Sequence, residues 1–317
     1  MSTKKTILFL ASYFAILAIA QSKITLPDII GSNMVLQRDQ SVPIWGTAGA
    51  GETILLAFNG QEKAAISDKT GKWTIWLDPM PANATPASMF LEGEDQNIEL
   101  EHILVGEVWL CAGQSNMQWE LQQSDGGKTA ILEADYPNIR LFNASRDVAF
   151  KRKEGPLGSW QPCSPETVLT FSGVGYFFAL DLYKELGIPV GMINSSYGGS
   201  QAEAWTPRSY LAASPELLPC IEREKTWEAE RPQVQKDFDH RLKTWEIDVA
   251  RAKAGGTKAP NRPRVPDALR DYRIAASIYR GMIEPLIPYA IKGALWYQGE
   301  SNEERAEQYE LLLTTMI

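Results

Sequence analysis

The sequence predicts a parallel α/β domain preceded by a small all-β module, and three observations carry that prediction. Between residues 23 and 102 the chain runs in short alternating apolar and polar stretches divided by turn residues, the pattern of half-buried antiparallel strands. After residue 103 the strand candidates stand further apart, separated by helical or irregular stretches, as in a sheet joined by crossovers. At the boundary, Ile103-Leu104-Val105-Gly106-Glu107-Val108-Trp109-Leu110 is almost continuously apolar, as a strand covered on both faces should be.

The elements follow in order. Residues 1–20 read as a secretory signal peptide: Lys4 and Lys5, an apolar stretch from Ile7 to Ala20, and the small-residue cleavage site Ala18-Ile19-Ala20. That stretch is short for a bilayer span, so a secreted or periplasmic chain starting near Gln21 is expected rather than an anchored one. Within the β-sandwich or jelly-roll-like module at 21–102, the runs at 41–46, 53–58 and 72–77 are strands. Asn59-Gly60 and Lys69-Thr70-Gly71 are hairpin turns. Trp45, Trp73 and Trp76 sit at alternating positions, as sandwich core residues do, with a sugar-binding platform as the other reading. His102 marks the junction.

The remaining domain, 103–317, has strand candidates at 104–110, 139–142, 190–193 and 291–297. A helix over 174–186 is closed by Gly187. A charged block at about 211–270 interrupts the pattern and reads as a helical insertion, either a solvated hairpin at the rim of the sheet or a roof over the cleft. The chain has 317 residues, 44% of them hydrophobic, room for a substantial core and two domains. Its net charge of −8 argues against a nucleic-acid or anionic-membrane partner and for a neutral or weakly charged substrate. There is no GxGxxG, P-loop or CxxC pair and only two histidines, so neither a cofactor nor a metal is called for. Three cysteines, Cys111, Cys163 and Cys220, are an odd number for an exported chain, which leaves at least one free or paired between chains.

The run Leu110-Cys111-Ala112-Gly113-Gln114-Ser115-Asn116-Met117 places a lone serine on a glycine-flanked turn directly after the apolar strand. Ligand chemistry in parallel sheets gathers at the carboxyl ends of strands, and a helix starting near Met117 would aim free N–H groups at Ser115. The pattern points to acyl transfer; a plain N-cap is the other role such a serine takes. Two more loops leave strand candidates. Asn194-Ser195-Ser196-Tyr197-Gly198-Gly199-Ser200-Gln201 carries paired glycines that let a backbone N–H approach an oxyanion, or simply make a turn. Trp296-Tyr297-Gln298-Gly299-Glu300-Ser301-Asn302 offers the Gln298 amide as a further oxyanion donor, with Asn302 alternatively capping a final helix at 303–316.

Taken together, these loops resemble the sialate O-acetylesterase group of the SGNH hydrolases, a family of secreted carbohydrate esterases. The matching stretches are Gly113-Gln114-Ser115-Asn116-Met117, then Gly198-Gly199 with Glu203-Ala204-Trp205-Thr206, then Trp296 to Asn302, in family order. The resemblance covers nearly all of the mature chain, the β module included. It implies a flavodoxin-like three-layer α/β/α domain and removal of O-acetyl groups from sialic acids or other acetylated sugars. Ser115 would be the nucleophile. Its own N–H, the backbone N–H of Gly199 or Gly198, and the side chain of Gln298, with Asn302 as the alternative, would line the oxyanion hole. Gln114, Gly198, Glu300 and Asn302 would face the substrate, and Trp205 would support the site.

One family feature is absent. The family draws its base from the histidine of an Asp-x-x-His motif beyond the third loop, and here Ile317 follows Asn302 by only fifteen residues. Ala306, Tyr309, Leu312, Leu313 and Met316 still want an apolar partner, so the domain is expected to be cut short, with no general base and an unpaired edge at 291–297 prone to self-association. Asp237-Phe238-Asp239-His240 falls within the insertion and reads as exposed helix. Two other functions fit the same residues: an esterase acting on acetylated xylan, and a carbohydrate-binding remnant without turnover.

Overall fold

The structure, a computed structural model, describes residues 23–146, 148 and 157–317. The signal peptide expected at 1–20 lies outside them.

Alternation builds the first module. Strands β1 (Val35–Gln37), β2 (Val42–Thr47), β3 (Thr53–Phe58), β4 (Gln61–Ile66), β5 (Lys72–Leu77), β6 (Asn83–Glu92) and β7 (Asn97–Gly113) follow one another. The antiparallel ladder β4-β3-β6-β7 forms one sheet and β2-β5 the other. Asn59 and Gly60 both take positive φ, 48° and 76°, closing the β3–β4 hairpin as Asn-Gly does in a type I′ turn. Along β5, Trp73, Ile75 and Leu77 point inward while Lys72, Thr74 and Trp76 point outward. Trp73 is therefore core, whereas Trp76 is 56% exposed, on the opposite face of the strand.

β7 joins the two modules. Its first part pairs antiparallel with β6, and residues 107–113 pair in parallel with β10 (Val190–Ser196). The junction expected at 102–103 thus falls inside a seventeen-residue strand, with His102 at φ 59°. The parallel sheet runs β11 (Gly293–Tyr297), β7, β10, β8 (Tyr136–Asn143), with β9 (Trp160–Cys163) antiparallel to β8. All seven residues of β10 are buried, which is why its sequence is an unbroken run rather than an alternation. The edge of β11 away from β7 has no strand partner among the described residues.

Side chains of β7 divide between two faces. Cys111 packs with Met192 and Tyr176 beneath the helix Gly173–Leu186, and Ala112 packs with Trp205, Ile278 and Met282 on the other side. That first helix starts where Ser172 Oγ accepts from the Gly175 N–H at 3.1 Å and stops at Gly187, as its sequence predicts. The result is a mixed α/β fold with a small β module attached, helices flanking the central sheet.

The insertion is not a hairpin. It is one helix, Leu218–Ala254, 37 residues long, that continues through Pro232 and ends at Gly255. Most of its surface is solvated, and the turn that would make a hairpin comes only at its end, from where the chain returns with Pro260 O accepting from Trp245 Nε1 at 2.9 Å.

All three cysteines are free and buried. Burial pushes the Cys111 and Cys163 thiols up to about 12, helped at Cys163 by Asp135, and raises Cys220 as well. Since the thiolate is the reactive form, iodoacetamide at pH 8 is expected to label none of them in the folded chain and all three in denaturant, read by mass. Native labelling at Cys111 would contradict this burial.

Candidate active site

Gly113 ends β7 at φ 140°, between Ser196 of β10 and Tyr297 of β11. The next residue, Gln114, is buried and occupies the N-cap position of the one-turn helix Ser115–Gln118, so Ser115 is the first helical residue and not the cap. Ser115 is exposed, and its hydroxyl has no hydrogen-bond partner among the described residues. Gln114 fixes the third loop to the first: its Oε1 accepts from the N–H groups of Ser301 at 3.1 Å and Gly299 at 3.4 Å. With the oxygen held, the amide nitrogen of Gln114 has no partner among the described residues and is left to donate.

The second loop packs alongside. Tyr197 N–H donates to Gly113 O at 2.9 Å, and Gly198 N–H donates to Gln118 Oε1 at 2.6 Å. A Cβ on Gly198 would stand 3.6 Å from Ser115 Cα, so this loop lies directly against the serine. Gly199 has φ 75°, a left-handed conformation that glycine adopts without cost, and its N–H has no partner among the described residues. Tyr197 stacks on Tyr272 with ring centroids 4.8 Å apart, and Tyr272 Oη lies 3.5 Å from where a Gly199 Cβ would be. Burial raises the Tyr197 phenol, Tyr272 adds to it, and the Arg146 charge pulls the other way.

The third loop is a buried support. Asn302 Oδ1 accepts from Gln298 Nε2 at 2.7 Å and Ala202 N–H at 3.0 Å, while its Nδ2 donates to Glu203 Oε2 at 2.9 Å. Gln298 Nε2 also donates to Ser200 O at 3.2 Å. Both amide hydrogens of Gln298 are thereby committed, and flipping the amide would set its oxygen against two acceptors. Glu203, 1% exposed, is bonded by Arg223 Nη1 at 3.0 Å; Arg305 Nη2 stands 2.8 Å from the same oxygen but is misaligned for a hydrogen bond. Trp205 donates to Ser200 Oγ at 2.9 Å and meets Trp296 edge-on, bracing the same loop.

The structure brings Ser115, Gln114, Gly198, Gly199 and Glu300 together, Glu300 through a 2.6 Å bond from Asn116 Nδ2. It corrects three expectations. Gln298 gives its amide hydrogens to Ser200 O and Asn302 Oδ1, joining the second and third loops, rather than standing unbonded as expected. Asn302, 2% exposed, lies behind the site in the 3-10 turn Glu300–Arg305; it neither faces substrate nor caps the final helix, Ala306–Met316, whose N-cap is Arg305. Gly198 gives its N–H to Gln118, whereas the Gly199 N–H has no partner among the described residues. His240 is exposed on the long helix, where Asp237 and Asp239 bond Gln233 and Gln235 of the same helix; His102 is exposed on β7. Neither histidine hydrogen-bonds the Ser115 loop among the described residues. Sequence reading missed Gln118, whose position three residues after Ser115 is the one signal available, and Tyr272, Arg223 and Arg305, which arrive from elements remote in sequence.

Known proteins agree with this architecture. The sequence model for carbohydrate esterases of the sialic acid-specific acetylesterase kind matches residues 105–237. The sialate O-acetylesterase of Rattus norvegicus is 31% identical over 296 residues, covering 86% of this chain and 51% of that protein. Its Homo sapiens counterpart is 27% identical over 297 residues, covering 86% of this chain and 48% of its own length. The chain therefore spans about half the length of the curated relatives it matches. A carbohydrate acetylesterase from Xanthomonas citri superposes with a TM-score of 0.71 at 27% identity, over 92% of this chain and 55% of its own. Along most of its length, then, the chain is similar in sequence and fold to the sialate O-acetylesterases and to a carbohydrate acetylesterase.

Proposed function

We propose that this chain serves hydrolysis of O-acetyl esters on sialic acids or related acetylated sugars, with Ser115 as nucleophile. The observation that carries the reading is the exposed, unpartnered Ser115 hydroxyl beside the free Gly199 N–H. Ser115 Oγ attacks the acetyl carbonyl carbon as its proton passes to a base. The oxyanion that forms is held by the N–H groups of Ser115 and Gly199 and by the Gln114 amide. Collapse expels the sugar oxygen, which takes up a proton, and water then releases acetate from the acetyl-serine. Gln298, Asn302 and Glu203 are positioning residues in this scheme, fixing the second and third loops. Neither His102 nor His240 serves as the base in this scheme; a serine nucleophile deprived of its base loses several orders of magnitude in rate while the oxyanion hole still acts. The leader-like residues 1–20 extend the proposal to a secreted or periplasmic setting.

The test is p-nitrophenyl acetate hydrolysis at pH 8. The chain is expected to exceed Ser115→Ala by about tenfold or more and to carry acetyl on the Ser115 peptide after a short quench. Equal rates with no acetyl-peptide overturn the assignment, and a fast rate abolished in His240→Ala overturns the statement about the base.

A further inference from the structure

We infer that Gln118 is a positioning residue: by taking the Gly198 N–H it holds the Gly198-Gly199 turn against the Ser115 turn, so that the Gly199 and Ser115 N–H groups serve one oxyanion. The inference rests on the esterase reading for the presence of that oxyanion. The two donors come from loops remote in sequence, so their separation depends on what ties the loops together. Ser115 and Gln118 stand at the two ends of one four-residue helix, and Gln118 N–H donates to Gln114 O at 3.0 Å, so Gln118 moves with the serine. Its Oε1 accepts from the Gly198 N–H at 2.6 Å. Only an oxygen can face that donor, which fixes the orientation of the side-chain amide. A Cβ on Gly198 would stand 3.1 Å from Gln118 Oε1 and 3.6 Å from Ser115 Cβ, so amide, glycine and serine meet at one place.

The turn itself needs such a tether. Residues 197–200 form a type II turn, with Gly199 at φ 75° in the third position and Ser200 N–H donating to Tyr197 O at a long 3.4 Å. Two consecutive glycines have no side chains to pack and more backbone freedom than any other pair. Tyr197 N–H is anchored on Gly113 O at 2.9 Å before the glycines, and Ser200 O on Gln298 Nε2 at 3.2 Å after them. Between those anchors, the bond to Gln118 is the one that engages a glycine N–H among the described residues. Oxyanion donors act at about 2.7–3.1 Å from a single oxygen, so a drift of a few tenths of an ångström in the turn detunes the pair. Gln118 is half-buried and its Nε2 has no partner among the described residues. A side chain joined to a flexible turn by one bond contributes little to global stability, which makes an effect on rate separable from unfolding.

The test follows acetyl transfer from p-nitrophenyl acetate to Ser115, read by mass on the Ser115 peptide at quenched times, a signal that background hydrolysis does not enter. Gln118→Ala is expected to acetylate about tenfold more slowly than the parent chain at an unchanged urea midpoint, since a misplaced oxyanion donor costs less than the roughly 10²–10³ of a deleted one. Gln118→Glu separates placement from charge. Its carboxyl accepts from the Gly198 N–H whether protonated or ionised and so restores the turn, but once ionised it sets a negative charge beside the oxyanion. Its rate relative to the parent is expected to approach one near pH 4 and to fall about tenfold by pH 7, as the carboxyl ionises. A role in packing alone would leave that ratio flat. A parent-like rate in Gln118→Ala, or a Gln118→Glu ratio that does not change with pH, overturns the positioning role and leaves the esterase reading standing. A parent chain that carries no acetyl on Ser115 overturns the esterase reading, and the inference with it.

Discussion

Glu203→Ala is expected to lower the unfolding free energy by about 3 kcal/mol, near the lower end of what breaking a buried charge pair costs. Glu203 is 1% exposed, and its carboxylate meets Arg223, Arg305 and the Asn302 amide. Removing it strands two guanidiniums that are only about a quarter exposed, at 24% and 23%, which is why part of the penalty is recovered by water and the lower end applies. It also removes the acceptor that orients Asn302. Asn302 in turn holds Gln298 and the Ala202 N–H, so the loss propagates into the loop carrying Gly199. Glu203→Gln keeps an acceptor for Asn302 but loses the charge, and about half the destabilisation is expected. The measurement is urea unfolding: the midpoint falls with an unchanged slope, and the Glu203→Ala chain loses its Ser115-dependent aryl acetate activity before it unfolds. A shift below about 1 kcal/mol, the size of an ordinary substitution, would mean that the arginines turn out to solvent and that the network does not hold the loops.

The same residue shows where sequence reading stops. Strand β10 and the helix Gly173–Leu186 are legible because their determinants are local: seven consecutive residues buried on both faces, and a helix bounded by Ser172 and Gly187. The Ser115 turn is legible for a similar reason, since an apolar strand followed by Gly113 leaves few geometries open. The charged block at 222–228 reads as a solvated face by composition, and most of its helix is one. Yet Arg223 from that block reaches Glu203, and Glu224 pairs with Arg208. Which face of a polar helix meets the body of the protein depends on a docking that periodicity does not encode. Gln298 departs from expectation for a related reason. An amide has donors and an acceptor, and which of them stays free is decided by Ser200, about a hundred residues away in sequence, and by Asn302, whose own orientation is set by Glu203 and Ala202. Strand β7 is legible in place but not in length, because a strand that passes from an antiparallel sheet into a parallel one changes its burial pattern midway from alternating to continuous.

Gly113→Ala should be among the most damaging single-methyl changes, at about 3–5 kcal/mol, because two costs fall on one residue. The first is conformational: φ 140° lies in a region populated essentially by glycine alone, worth about 1–3 kcal/mol for any other residue. The second is steric. The added Cβ would fall on the Tyr297 carbonyl of β11, whose oxygen also accepts from the Gln114 N–H at 3.0 Å. That carbonyl is backbone and cannot turn aside as a long side chain would. On the opposite side Gly113 O accepts from Tyr197 N–H, so the residue is held from both neighbours and the strand has nowhere to move. Overpacking of this kind typically adds about 1–3 kcal/mol. Gly126→Ala separates the two costs, since Gly126 has φ 69° with nothing within 4 Å of the methyl it would gain; it should lose only the conformational part, about 1–2 kcal/mol. If both variants unfold at the same urea concentration, the contact with Tyr297 is not what makes glycine necessary. If Gly113→Ala alone is severely destabilised and its loss of β11 protection from hydrogen exchange exceeds that of β10, the close passage of β7 and β11 is what sets Ser115 at the rim of the sheet.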